Sequence, residues 1–326
     1  MEHKNDTNPM DKQSGHMPGE GAPGTRAVQE TTGTAPGIRT GQETARHSRR
    51  MKRGEVRPGS AWALVTGAGS GIGRCYALRL AALGYNLVLA GNNAAPLEAV
   101  AGEIRRAAGA IASASFPEVR VMPMDLARVG AAQELHDRTA AEGIEIDVVI
   151  NNAGIFSFCD ILTTPAERIE RIILLHDLTV SQLCRLYAAD MVRRGVRGHI
   201  LNMSSYSLWM PFPGLALYSA SKAYLRSFSV AFAKEVREHG IRVTAVCPAG
   251  VATDLYGLTP RWQRIGTRLG VLITADSCAR RGLRALWRGR RCIVPDWWNR
   301  VWIPLCKMLP MWVLRPVRRF TMKFQK

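Results

Sequence analysis

Acidic residues are scarce in this chain: 26 Asp and Glu stand against 44 Lys and Arg among 326 residues, a formal net charge of +18. A deficit of that size points to a polyanionic partner such as nucleic acid, an anionic membrane or an acidic ligand. Cysteine pairs are also lacking. The seven Cys (75, 159, 184, 247, 278, 292 and 306) are scattered, odd in number and without a CxxC spacing. That argues against a disulfide framework and a zinc site, and fits reduced thiols in a cytoplasmic protein; no metal is expected. Long apolar runs are missing too, since none reaches the ~18–20 residues of a spanning helix. The nearest, 297–314, is interrupted by Arg300, Pro304, Lys307 and Pro310. Residues 1–12 are polar and carry no apolar core of a signal peptide. A soluble cytoplasmic protein, or one attached peripherally to a membrane, is expected.

The charge is unevenly placed. Residues 1–57 hold 10 basic and 7 acidic side chains, 58–258 hold 18 and 17, and 259–326 hold 16 and 2. Six of the eight Trp (262, 287, 297, 298, 302 and 312) fall in that last basic segment. The chain therefore reads as three parts. A polar leader, 1–57, buries too little to offset its ordering entropy and is expected to be disordered. A nearly neutral core covers 58–258, and a basic Trp-rich segment closes the chain at 259–326.

Within the core, short apolar runs alternate with stretches whose apolar residues recur every three or four positions. Strands are expected at 61–66, 86–90, 120–124, 147–151, 199–203, 242–247 and 292–294, and helices at 71–83, 94–108, 131–141 and 277–288. That alternation implies a doubly wound α/β fold: a parallel sheet with helices on both faces. The first strand runs into Thr66-Gly67-Ala68-Gly69-Ser70-Gly71-Ile72-Gly73, with a helix starting at once. Glycines let backbone approach a pyrophosphate, and the helix N-terminus offers free N–H groups and a positive dipole end.

The spacing Gly67-x3-Gly71-x-Gly73 resembles that of the short-chain dehydrogenase/reductase family, and three further motifs follow in order. Asn151-Asn152-Ala153-Gly154 resembles the family's NNAG, Tyr218-x3-Lys222 its YxxxK, and residues 248–253 (PAGVAT) its PGxVxT. The resemblance spans about 60–258. It implies a Rossmann-like sheet of about seven strands in the order 3-2-1-4-5-6-7 and a nicotinamide dinucleotide cofactor. It also implies a site in which Gly67, Ser70, Gly71, Ile72 and Gly73 hold the pyrophosphate and Asp125 contacts adenine. Asn151, Ala153, Gly154 and Pro248 would shape the cofactor wall, and Thr253 would hold the carboxamide. NAD and NADP are not distinguished: residues 89–93 (LAGNN) end strand two with neither an acid for a ribose nor a base for a phosphate, and Ser70 is neutral.

Tyr218 and Lys222 are four apart and share one helix face. A free phenol, with a pKa near 10, is a poor base at neutral pH; a neighbouring ammonium and a positive nicotinamide stabilise the phenolate. By the same resemblance Tyr218 would exchange a proton with a carbonyl or alcohol oxygen, Lys222 would also hold the nicotinamide ribose, and Ser205 would position the substrate oxygen. Ser204 is the adjacent competitor for that last role. One position departs from the family: where a relay Asn is usual, this chain has His176. Two readings stand, an imidazole that relays protons or a packing histidine that has displaced the relay. The second would leave a nucleotide-binding regulatory protein in place of an enzyme.

Leu208, Trp209, Met210 and Phe212 after Ser205 imply a hydrophobic substrate, such as an acyl chain. The basic tail, 297–326, reads either as a membrane-surface segment or as a cover for the cleft. A protein acting through that tail alone is a further alternative. No nucleic-acid-binding signature accompanies the charge, so nucleic acid is not expected as a partner. A homo-oligomer is expected from the family resemblance.

Overall fold

A computed structural model describes residues 60–109, 117–210, 212–253, 259–268 and 272–296, together with Pro316. The expected leader 1–57 and tail 297–326 lie outside these described residues, Pro316 apart. The elements begin with β1 (Trp62–Thr66), α1 (Gly71–Ala82), β2 (Asn86–Gly91), α2 (Ala94–Gly109), β3 (Val119–Pro123), α3 (Ala131–Ala141) and β4 (Ile146–Asn151). A long helical segment follows as α4 (Ala166–Ile173), a π turn (Leu174–Leu178) and α5 (Thr179–Arg193). The chain continues through β5 (His199–Met203), α6 (Ala216–Glu235), β6 (Arg242–Val246), β7 (Gly250–Ala252) and α7 (Pro260–Arg268). It then runs through β8 (Leu272–Thr274), α8 (Ala275–Trp287) and β9 (Cys292–Ile293).

Seven strands form one sheet in the order β3-β2-β1-β4-β5-β6-β9, with every pairing parallel. This is the expected order, with β9 in seventh place. Period-two alternation divides the strand side chains between two cores. Ala63, Val65, Leu87, Leu89, Val148 and Ile150 face the core under α1, α2 and α8. Leu64, Val88, Ala90 and Val149 face the opposite core under α3, α5 and α6. Burial on both sides explains why these strands read as continuous apolar runs.

A second sheet was not expected. β7 and β8 pair in parallel, Gly250 with Leu272, Val251 with Ile273 and Ala252 with Thr274. They carry α7 between them. Thr274 then starts α8 by accepting a hydrogen bond from the Ser277 N–H at 3.1 Å, so that helix begins two residues earlier than its periodicity implied. Because the large sheet is parallel, β1, β4, β5 and β6 all end on one edge, and the loops leaving that edge build the site.

Candidate active site

The Thr66 hydroxyl ties two of those loops together. It accepts the N–H groups of Asn152 (3.0 Å) and Ala153 (3.1 Å) while donating to the Ile150 carbonyl (3.4 Å). Asn152 returns the contact, its side-chain amide donating to the carbonyls of Thr66 (3.1 Å) and Gly67 (3.2 Å). Gly67 has φ +64°, and a Cβ there would stand 2.8 Å from the Ala153 Cα. A Cβ on Gly73 would collide with the Gly67 carbonyl oxygen and the Asn152 amide. Both positions therefore require glycine, one for conformation and close approach, the other for approach alone.

This turn forms one end of a cavity of about 480 Å3, within the range of small-ligand sites. Ser70, the N-cap of α1, makes no side-chain bond to its helix, which leaves the first-turn N–H groups directed at the cavity. A dinucleotide fits such a cradle: glycine backbone and helix N-terminus suit a pyrophosphate, and Gly154 leaves open the space where a Cβ would stand 3.5 Å from the Lys222 ammonium. At the adenosine end Asp125 accepts from the Ala127 N–H at 2.9 Å and pairs with Arg171 at 3.0 Å. The Ala127 N–H first, and Arg171 with it, hold the Asp125 carboxyl below its ordinary pKa. Gly91 and Asn92 line the cavity nearby and are both neutral.

Ser205, Tyr218 and Lys222 line the other end. The two serines differ in their bonding. The Ser204 hydroxyl donates to the Lys222 carbonyl at 2.7 Å, which fastens the loop after β5 to α6. The Ser205 oxygen instead accepts the Ser207 N–H at 3.1 Å, so its own proton remains available to a ligand. Tyr218 is 6% exposed, and its ring packs edge-on against Phe156 and His176. Lys222 lies with Nζ 5.7 Å from the Tyr218 ring centroid and donates to the Met203 carbonyl at 3.1 Å. Burial lowers the Lys222 pKa to about 8, opposed chiefly by the charge of Asp177.

His176 is fully buried within the π turn, behind this wall. Its Nε2 accepts the Ile155 N–H at 3.0 Å, which makes Nδ1 the protonated nitrogen. Nδ1 lies 2.9 Å from the Ser221 hydroxyl, which donates in turn to the Tyr218 carbonyl at 2.9 Å. Both ring nitrogens are thus engaged by protein, and burial, aided by the Lys222 charge, drives the imidazole pKa well below its ordinary value. The next residue, Asp177, is pushed up to about 6 by burial against the opposing pull of Lys222. Its Oδ1 is buried with no hydrogen-bond partner among the described residues.

Of the residues singled out from sequence, Gly67, Ser70, Gly71, Ile72, Asp125, Ala153 and Gly154 line this one cavity, as do Ser205, Tyr218, Lys222, Pro248 and Thr253. Gly73, Asn151 and His176 do not. Asn151 is 3% exposed, and its amide donates to Asn202 at 2.8 Å; Asn202 donates onward to Ser229, also at 2.8 Å. That buried ladder locks β4, β5 and α6 together behind the wall. Phe156, Arg171 and Leu175 also line the cavity, unforeseen because nothing in their spacing marks them.

A family model described as short chain dehydrogenase matches residues 61–264. A protein called probable oxidoreductase EphD, from Mycobacterium bovis, is 36% identical over 217 residues, which cover 65% of this chain and 35% of that one. A very-long-chain 3-oxoacyl-CoA reductase of Anas platyrhynchos is 37% identical over 210 residues, covering 62% and 64%. The chain thus spans less than two thirds of the length of either relative. Among solved structures, a short-chain dehydrogenase from Sphingobium yanoikuyae in complex with NADPH superposes with a TM-score of 0.63 at 29% identity, over 74% of this chain and 92% of that one. A bulky-bulky ketone specific alcohol dehydrogenase from Comamonas testosteroni gives 0.62 at 25% identity, over 74% and 91%. A glycine turn, an NNAG loop and a Tyr-Lys pair around one cavity, on this sheet and under this family match, place the chain in the short chain dehydrogenase family of NAD(P)-dependent oxidoreductases.

Proposed function

We propose that the chain interconverts a ketone and an alcohol on a hydrophobic acyl-chain substrate, of the 3-oxoacyl thioester class, with NAD or NADP. The observation that carries this reading is the convergence of Ser205, Tyr218 and Lys222 on the cavity that also holds the glycine turn. In the direction of reduction, the Ser205 hydroxyl donates to the carbonyl oxygen and orients it. The Tyr218 phenol gives that oxygen its proton, and the Lys222 ammonium stabilises the phenolate left behind. When bound, the nicotinamide supplies the hydride at carbon, or accepts it in the reverse direction. Phe156, at the edge of the Tyr218 ring, favours an apolar substrate, as do Leu208, Trp209 and Met210 packed beyond Ser205. The relatives named as very-long-chain 3-oxoacyl-CoA reductases support the thioester class. His176 acts as a brace in this reading, fixing the NNAG loop to α6.

Fluorescence titration with NADH and NADPH, then reduction of a long-chain 3-oxoacyl-CoA, tests it. The native chain should bind and turn over, and Tyr218→Phe should keep cofactor affinity while losing at least about a hundredfold in rate. Binding without turnover on any carbonyl would favour the regulatory alternative, and absence of binding would overturn the assignment.

The same reading divides the chain into a leader (1–57), a catalytic core (58–258) and a basic C-terminal segment (259–326). The charge of the last supports a cytoplasmic protein held peripherally at an anionic membrane, which vesicle sedimentation with and without 297–326 would show. Exposed Tyr224, stacked on Phe228 along α6, supports pairing with a second copy; size-exclusion chromatography of Tyr224→Glu, compared with the native chain, checks it.

A further inference from the structure

β7 has two sides. Val251 and Thr253 face the cofactor cavity, while Ala252 between them faces a second, open hollow of about 490 Å3. Thr274, the register partner of Ala252 on β8, lines the same hollow, and α7 closes it with Gln263, Arg264, Thr267 and Arg268. The lining is two guanidinium groups, two hydroxyls, an amide and a methyl, with no carboxylate. The Thr267 hydroxyl donates to the Gln263 carbonyl at 2.8 Å, and Thr274 accepts the Ser277 N–H and keeps its own proton for a ligand. An apolar chain finds little to pack on here. A phosphate finds planar, permanently charged forks suited to bidentate contact. α7 itself carries three Arg and no acid, and Arg261, Arg264 and Arg268 are all exposed.

We propose that this hollow is a phosphate-ester site, one strand away from the catalytic cleft, that holds the phosphorylated carrier of the substrate while the acyl end reaches Ser205 and Tyr218. The proposal rests on the acyl-thioester reading above and assigns the carrier as coenzyme A. An anionic phospholipid headgroup offers the same chemistry, and the experiment separates the two sources. With cofactor saturating, a 3-oxoacyl-CoA is compared with the same acyl group on N-acetylcysteamine, which has no phosphate. Arg268→Glu should raise KM for the CoA ester at least tenfold, with kcat retained, and leave the N-acetylcysteamine ester unchanged. Arg268→Lys should retain part of the effect. Free coenzyme A, titrated into the cofactor-saturated full chain, gives a readout independent of turnover and should lose tenfold or more in affinity in the Glu variant.

Coenzyme A binding that depends on Arg268, without turnover of either ester, would uphold the site and remove the substrate assignment. Loss of binding to phosphatidylglycerol vesicles in the Glu variant, with coenzyme A never bound, would overturn the carrier assignment in favour of a lipid. Equal loss on both esters, or no change in coenzyme A and vesicle binding, would overturn the site.

Discussion

Replacing His176 by phenylalanine keeps a ring in the π turn and removes both of its hydrogen bonds. The Ile155 N–H and the Ser221 hydroxyl then lose their partner where the imidazole was fully buried. An unsatisfied buried donor costs about 1–3 kcal/mol, so His176→Phe should lower stability by roughly 2–3 kcal/mol near pH 8. Acidification changes the comparison. In the unfolded chain the imidazole takes up a proton near its ordinary value of 6.5, whereas burial holds the folded ring neutral well below that. The unfolded state of the native chain therefore binds more protons as pH falls, and native stability drops by about 1.4 kcal/mol near pH 5.5 on this account. The phenylalanine variant has no such loss, so the gap between the two proteins should narrow to about 1 kcal/mol, other groups cancelling in the difference. Equilibrium urea unfolding of both proteins at the two pH values measures the gap. A gap that stays constant would mean the ring titrates alike in both states, and one that widens in acid would mean that the folded ring is protonated; either refutes the neutral brace.

Asp177 bears on the opposite limb of the pH profile. The Lys222 pKa is lowered to about 8 with Asp177 as its main opposing charge, so Asp177→Asn should lower it further and move the alkaline fall in kcat to lower pH. Steady-state rates between about pH 6 and 10 show the shift, and an unmoved limb would remove Asp177 from the electrostatics of the site. Gly73→Ala places a methyl against the Gly67 carbonyl and Asn152 amide, and should abolish cofactor binding or cost several kcal/mol of stability. Fluorescence titration and thermal melting distinguish the two outcomes, and normal behaviour in both would contradict the packing described.

The sheet was legible because both its faces are buried, so each strand announces itself as an apolar run bounded by turn residues. The glycine turn, NNAG and Tyr218-x3-Lys222 were legible because backbone approach and helix spacing dictate them locally. What escaped was decided by tertiary contact. Ser204 and Ser205 are adjacent and identical in type, and only the bond from Ser204 to the Lys222 carbonyl separates their tasks. Asn151 belongs to a motif on the cavity edge, yet its side chain turns inward to Asn202. The β7–β8 sheet eluded the pattern because three-residue strands, Gly250–Ala252 and Leu272–Thr274, are too short for period two to register. Arg171 reads as one more charge on an exposed helix until Asp125 is found 3.0 Å away.

The Thr66 hydroxyl has a kinetic implication. It joins residues 86 and 87 positions apart in the chain, and β1 and β4, which it links, are neighbours in the sheet only because two crossover units lie between them in sequence. No early, local fragment of the chain can contain both walls of the nucleotide cradle. Closing so long a loop must precede the first useful contact with cofactor, which makes nucleotide affinity a late acquisition in folding. Added dinucleotide should accordingly slow unfolding far more than it speeds refolding.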